Sequence, residues 1–251
     1  MSAMYVELLK NCLLDNIYDS EIMEVAKIED IDKIGKNADE DMINNGYYFP
    51  KRAHTMIGKK RLTNIEECII DIMNNNIEGD FIEAGVWRGG ATIFMAGINK
   101  YYNLNRKIYV ADSFEGLPAP DPKYNDDDGD NLHKIEWLSI DLDTVKNNFN
   151  KYNLLDNNVI FVKGFFETSL QNTAIDKLSL LRLDCDMYSS TIQVLEELYD
   201  KVSIGGYIII DDYGCEAVAC KKAVDDFRNN RNIITPIKVI DWHGIYWKKE
   251  Y

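Results

Sequence analysis

From position 80 to position 229 the sequence alternates between short apolar runs of strand length and longer stretches with apolar residues at helical spacing, and this alternation leaves few folds open. The pattern predicts strands over 80–84, 107–111, 158–162, 178–183 and 207–210, and helices over 89–102, 139–152, 191–202 and 216–229. A strand that reaches its neighbour through a helix returns parallel to it. Two further strands, 237–240 and 244–247, follow too closely for a helix to intervene and read as an antiparallel hairpin. The expected fold is α/β: a mostly parallel, seven-stranded, doubly wound Rossmann-like sheet ending in an antiparallel hairpin.

At 251 residues, 46% of them hydrophobic, the chain can bury one substantial core. Residues 1–60 carry helical patterning, as in Tyr5-Val-Glu-Leu-Leu-Lys, broken at Gly46-Tyr-Tyr-Phe-Pro50, and are expected to form an N-terminal helical cap on a Rossmann-like domain over 61–251. A helix is expected over 63–73, with Asn64 as a candidate N-cap. Met1 to Leu14 lacks a basic stretch followed by an apolar core, and no segment approaches ~18 uninterrupted apolar residues, so a soluble cytoplasmic protein is expected. The five cysteines are scattered and form no C-x-x-C pair, which reads as reduced thiols. A net charge of −14 opposes binding to nucleic acid or to an anionic membrane. It does not exclude a phosphorylated substrate, because a metal or helix N-terminus can invert the local field.

Two of the predicted strands stop at acids: Leu178-Ser-Leu-Leu-Arg-Leu-Asp184-Cys-Asp186 and Gly205-Gly-Tyr-Ile-Ile-Ile-Asp211-Asp212. Ligands of open α/β sheets bind at the carboxyl ends of the strands. Converging carboxylates repel unless a cation lies between them, and an all-oxygen set selects a hard ion such as magnesium. The competing reading makes Asp211 and Asp212 turn residues that cap the next helix. Cys185 has no Cys or His at ligand spacing and reads as packing.

Asp80-Phe-Ile-Glu83-Ala-Gly85-Val-Trp-Arg-Gly89-Gly90 reads as strand, acid, glycine turn and helix. Gly85 permits close approach of backbone and ligand, and Glu83 supplies an acceptor. The G-x-G-x-x-G pattern of dinucleotide folds is absent, which favours a nucleoside without a diphosphate. Asp112, at the end of the second strand, stands where an acid grips ribose hydroxyls; an ordinary strand-end aspartate is the alternative. The stretch 117–136, rich in Pro, Asp and Gly, is long for an α/β connection and reads as a lid. Its run Asn125-Asp-Asp-Asp-Gly129 fails the register of a calcium loop, because the first and twelfth positions fall on Tyr124 and Ile135, and is expected to be solvated.

Five motifs, Ala53-His-Thr-Met-Ile-Gly58, Glu83-Ala-Gly-Val-Trp-Arg-Gly-Gly90, Ala111-Asp-Ser-Phe-Glu-Gly-Leu-Pro118, Leu183-Asp-Cys-Asp-Met-Tyr-Ser-Ser-Thr191 and Ile210-Asp-Asp-Tyr213, resemble in order those of the TylF/MycF family of macrocin-type sugar O-methyltransferases. The resemblance implies a class I S-adenosylmethionine-dependent methyltransferase fold, Mg2+ dependence, methylation of a sugar hydroxyl, and assembly as a homodimer. By the same resemblance Glu83, Gly85, Arg88, Asp112 and Ser113 form the cofactor site with Met56 and Phe165 at its border, while Asp184, Asp211 and Asp212 hold the metal. Cys185 stands where the family pattern has glycine. The ion would chelate neighbouring hydroxyls and ease proton loss, with Asp184 as candidate base and Asp186, His54 or His133 as alternatives. The acceptor class spans nucleotide sugars, glycosides and bacterial surface-glycan precursors. Competing readings are a catechol-like vicinal-diol O-methyltransferase and a non-catalytic S-adenosylmethionine-binding protein.

Overall fold

The computed structural model describes residues 2–214 and 218–251. The chain runs α1 (Ser2–Leu13), β1 (Ile22–Val25), α2 (Glu40–Asn45), β2 (Tyr48–Pro50), α3 (Gly58–Asn74), β3 (Asp80–Ala84), α4 (Gly90–Tyr101), β4 (Ile108–Asp112), α5 (Leu142–Lys151), β5 (Val159–Lys163), α6 (Phe166–Ser169), β6 (Leu178–Leu183), α7 (Tyr188–Leu198), β7 (Val202–Ile210), α8 (Val218–Asn230), β8 (Lys238–Val239) and β9 (Ile245–Lys248). Among the described residues no helix is long and apolar enough to cross a membrane.

Seven strands form one sheet in the order β5-β4-β3-β6-β7-β9-β8. The first five are parallel, and β9 runs antiparallel to both β7 and β8. From β3 the chain builds outward through β4 and β5, then crosses to lay β6 on the other side of β3. The carboxyl ends of β3 and β6 therefore flank the switch point of the sheet, where a crevice must open.

Strand β6 is buried along its whole length, as expected of a central parallel strand. Its side chains alternate, with Leu180 facing the layer of α3 and α4 and Leu181 and Leu183 facing α7 and α8. Each such burial contributes about 1.5–3 kcal/mol. The one charged residue inside this strand is Arg182. Helix α4 is apolar nearly all round because it is covered twice, by the sheet on one face and by α1 on the other. Gly97 makes room for the second contact: a Cβ there would collide with a methyl of Leu9.

Residues 1–60, expected as a helical cap, contain a strand pair as well as helices. β1 and β2 pair antiparallel, with Val25 opposite Tyr48, and the buried Tyr48 hydroxyl donates to Ser20 at 2.9 Å. Helix α3 starts at Gly58, so Asn64 is a buried residue inside it rather than an N-cap. In α5 the cap is Asp141, which accepts from the Thr144 N–H at 2.9 Å. The expected helix over 216–229 begins within the described residues at Val218; Cys215 and Glu216 lie outside them. Cys12, Cys68, Cys185 and Cys220 are free thiols.

Candidate active site

The turn after β3 is shaped first by the protein itself. Gly85 has φ +83°, and a Cβ on it would overlap the Asp184 carbonyl oxygen, so the chains leaving β3 and β6 touch at this point. The glycine is required by this strand-to-strand contact, and it also borders the cavity at the strand ends. Asp112 ends β4 and accepts from the N–H groups of Val86 at 2.8 Å and Phe114 at 2.7 Å, which locks the glycine turn to the neighbouring strand. Burial raises the Asp112 carboxyl against the pull of these N–H groups. The Ser113 hydroxyl donates to the Gly116 carbonyl at 2.6 Å and holds the turn that leads into the connection 117–136. Glu83 is buried, and burial pushes it up to about 7 in spite of its ion pair with Arg182. Its Oε2 is buried without a partner.

Next to this turn, ligand atoms of Asp184, Asp211 and Asp212 lie within 4.8 Å of one another. The donor set is all oxygen and anionic, which fits a hard divalent cation. Helix α8 begins at Val218 within the described residues, and the residues that join it to Asp212 lie partly outside them. Two arginines and a histidine already brace the cluster. Arg182 pairs with Asp211 and donates to Asp184 at 3.0 Å. Arg61 of α3 pairs with the other Asp211 oxygen and donates to Asp241 at 2.9 Å. His243 lies 3.3 Å from Asp212. Burial and the charge of Asp211 drive Asp184 well above the ordinary carboxylate range. Burial acts on Asp212 too, but the hydrogen bond and charge of His243 outweigh it and hold Asp212 low. Asp186 adopts φ +56° and its N–H donates to Asp212 at 3.1 Å. Cys185, at the glycine position, has no left-handed backbone to support; its side chain packs in the apolar layer under α7 and α8, and its thiol donates to the Ala84 carbonyl at 3.4 Å.

One cavity of about 770 Å³ joins both features. Met56, Glu83, Gly85, Asp112, Ser113 and Phe165 line it, as do Asp184, Asp211 and Asp212. Arg88 does not belong to that lining. Its guanidinium donates to the carbonyls of Pro50 and Ala53 at 3.1 and 2.9 Å and stacks on Trp87, so it fastens the cap to the sheet. The alternative bases separate as well: half-buried His54 hydrogen-bonds Tyr152 at 2.6 Å, and desolvation lowers it to about 4, while neither His54 nor His133 lines the cavity. The histidine at the site is His243, which the sequence reading missed. It sits in the turn before β9, and only the pairing of Ile245 with Ile210 brings that turn beside Asp212. Arg61 and Arg182 were missed for the same reason, since each acquires its role across the fold.

Of the run Asn125 to Gly129, expected to be solvated, only Asp127 is buried; the other four residues are exposed. Asp127 is 2% exposed and accepts from the N–H groups of Tyr188 at 2.7 Å and Ser189 at 2.9 Å. It supplies the cap of α7 from another part of the chain. Tyr124 packs on Tyr188, and the Trp137 carbonyl accepts from the Trp87 indole at 2.9 Å.

Set beside known proteins, the chain matches the family model for macrocin-O-methyltransferase (TylF) over residues 2–249. It is 40% identical over 251 residues to the demethyldecarbamoylnovobiocin O-methyltransferase of Streptomyces niveus, covering 99% of this chain and 94% of that one. It is 38% identical over 261 residues to the mycinamicin III 3''-O-methyltransferase of Micromonospora griseorubida, covering 98% and 96%. Among solved structures, the O-methyltransferase NovP superposes with a TM-score of 0.90 at 40% identity over 100% of both chains. The calicheamicin methyltransferase CalS11, 15% identical with a TM-score of 0.63 over 98% of this chain and 91% of that one, shares the fold alone. A family match that spans almost the whole chain, together with these relatives, establishes that the chain belongs to the macrocin-O-methyltransferase family and is an O-methyltransferase with a class I methyltransferase fold.

Proposed function

We propose that this enzyme transfers the methyl group of S-adenosylmethionine to a sugar hydroxyl of a preformed glycoside, with magnesium held by Asp184, Asp211 and Asp212. The observation that carries the reading is the single cavity linking the strand ends at Glu83 and Asp112 to the aspartate cluster. Its electrostatics favour a glycoside over a nucleotide-linked sugar. Among the described residues, nine Asp or Glu side chains line it, and its one Lys or Arg, Arg61, is already engaged by Asp211 and Asp241. A diphosphate would meet this wall with like charge. Both curated relatives described above are named for antibiotics or their precursors as acceptors.

Glu83, through its unpartnered Oε2, accepts a donor of the cofactor, and Asp112 takes the ribose hydroxyls while holding the glycine turn. Bound magnesium would chelate neighbouring hydroxyls of the acceptor and lower the cost of removing a proton. Asp184 is the base. Its side chain is 27% exposed, against 5% for Asp211 and 7% for Asp212, and Arg182 steadies one of its oxygens. The lid and cap exclude water from the sulfonium. The test is a methyl-transfer screen of matched glycosides and nucleotide sugars, each with magnesium and with excess chelator. Transfer to glycosides that stops on chelation is expected. Transfer restricted to nucleotide sugars overturns the acceptor, and full turnover in chelator overturns the metal.

A further inference from the structure

The aspartate cluster contains its own cation. Arg182 is fully buried and reaches the ends of three adjacent strands: it pairs with Glu83, the next-to-last residue of β3, donates to Asp184 after β6 at 3.0 Å and pairs with Asp211 after β7. Its backbone is fixed opposite Glu83 and Ile209 by the sheet register, so no loop motion is needed to place it. Burying a guanidinium is costly before pairing, and an apolar residue of similar length would fill this strand position without that cost. Nor is the charge committed to one partner. The Arg182 Nε and the Glu83 Oε2 are both buried and unpartnered, which is the pattern of one cation divided among three carboxylates.

We infer that Arg182 is a positioning residue that acts as the resident counter-cation of Asp184 and Asp211, is shared with Glu83, and thereby sets how tightly the cluster holds a divalent ion. This rests on the reading of Asp184, Asp211 and Asp212 as metal ligands. Two consequences follow from Coulomb's law. The guanidinium screens the mutual repulsion of the aspartates, so the cluster stays assembled without a metal. It also confronts an entering ion with positive charge from the sheet side, which keeps that ion weakly bound and exchangeable. Glu83 competes for the same guanidinium, so the turn that faces the cofactor bears on metal affinity without touching the metal.

The test is Mn2+ binding at about pH 8, where Glu83 is ionised, measured by calorimetry or by the free-ion EPR signal on the full chain without cofactor. Arg182→Met should tighten Mn2+ about tenfold or more, from the removal of a unit charge a few ångströms away. Damage to the fold would weaken binding, so the sign separates the two. Arg182→Lys, which keeps the charge, should stay within about threefold of the wild type, and Glu83→Gln, which returns the guanidinium to the aspartates, should weaken Mn2+ by about threefold or more. Equal or weaker binding by a folded Arg182→Met variant overturns the inference, and if that variant does not fold, unchanged binding by Glu83→Gln does so. In either case loss of Mn2+ in Asp211→Asn leaves the metal reading standing. Absence of Mn2+ binding in both the wild type and Arg182→Met overturns the two together.

Discussion

Replacing Asp127 with alanine should loosen the lid and destabilise the whole domain. The carboxylate is buried and accepts two backbone N–H groups at the first turn of α7, at 2.7 and 2.9 Å. Loss of an ordinary N-cap costs about 0.5–2 kcal/mol. Hydrogen bonds to a charged acceptor contribute about 1.5–3 kcal/mol each, and the freed N–H groups recover part of this from water. The expected loss is therefore about 2–3 kcal/mol, or a fall in Tm of roughly 5–10 °C for a domain of this size. Asp127→Asn keeps an acceptor oxygen without the charge and should lose about half as much. Urea denaturation gives the global term, and limited proteolysis within 117–136 gives the local one. Because α7 begins at Tyr188, two residues past Asp186, the looser connection should raise KM for the acceptor more than it lowers kcat. Stability within about 0.5 kcal/mol of the wild type, with no faster cleavage of the lid, would refute the assignment of Asp127 as the cap of α7.

Asp112→Ala should weaken cofactor binding by at least about tenfold in calorimetry, since it removes both the ribose acceptor and the brace on the glycine turn; wild-type affinity would take Asp112 out of the site. Arg88→Met should leave cofactor affinity within about twofold while lowering stability by about 1–3 kcal/mol, because its donors go to the Pro50 and Ala53 carbonyls; a large loss of cofactor affinity without loss of stability would return Arg88 to the cofactor site. Burial holds Glu83 at about 7 in the folded chain against an ordinary 4.5, so the folded state keeps a proton that the unfolded chain releases. Stability of the apoprotein should therefore fall as pH rises from about 4.5 to 7, and Glu83→Gln should flatten that part of the curve; identical pH profiles in the two proteins would contradict the buried, raised carboxyl.

The parallel sheet was legible because its evidence is local. Strand β6 was bounded correctly from its apolar run, and the hairpin from the short spacing of its two strands. The acids that end β3, β4, β6 and β7 were visible for the same reason, and the cavity gathers them. What stayed hidden depends on contacts distant in sequence. Arg61 is an unremarkable basic residue of an amphipathic helix until Asp211 and Asp241 close on it. Asp127 lies in a run of acids that looks solvated, and only the approach of α7 buries it. Arg88 is a different case: a basic residue beside a glycine turn invites a ligand role, while in the fold its Nη1 donates to the carbonyls of Pro50 and Ala53. The strand pair β1 and β2 was missed because runs this short carry little periodic signal.

The place of β9 between β7 and β8 also bears on the order in which this molecule can assemble. Parallel strands β3 to β7 and their helices can collapse as the chain emerges, with α1 already docked on α4. The turn that carries Asp241 and His243 comes later, and it is positioned only when β9 inserts along β7. Until then Arg61 has no Asp241 and Asp212 has no imidazole partner. A newly made chain should therefore acquire its sheet before it acquires its chemistry, with the final strand acting as the keystone. Long-range pairing of this kind is the slow part of folding.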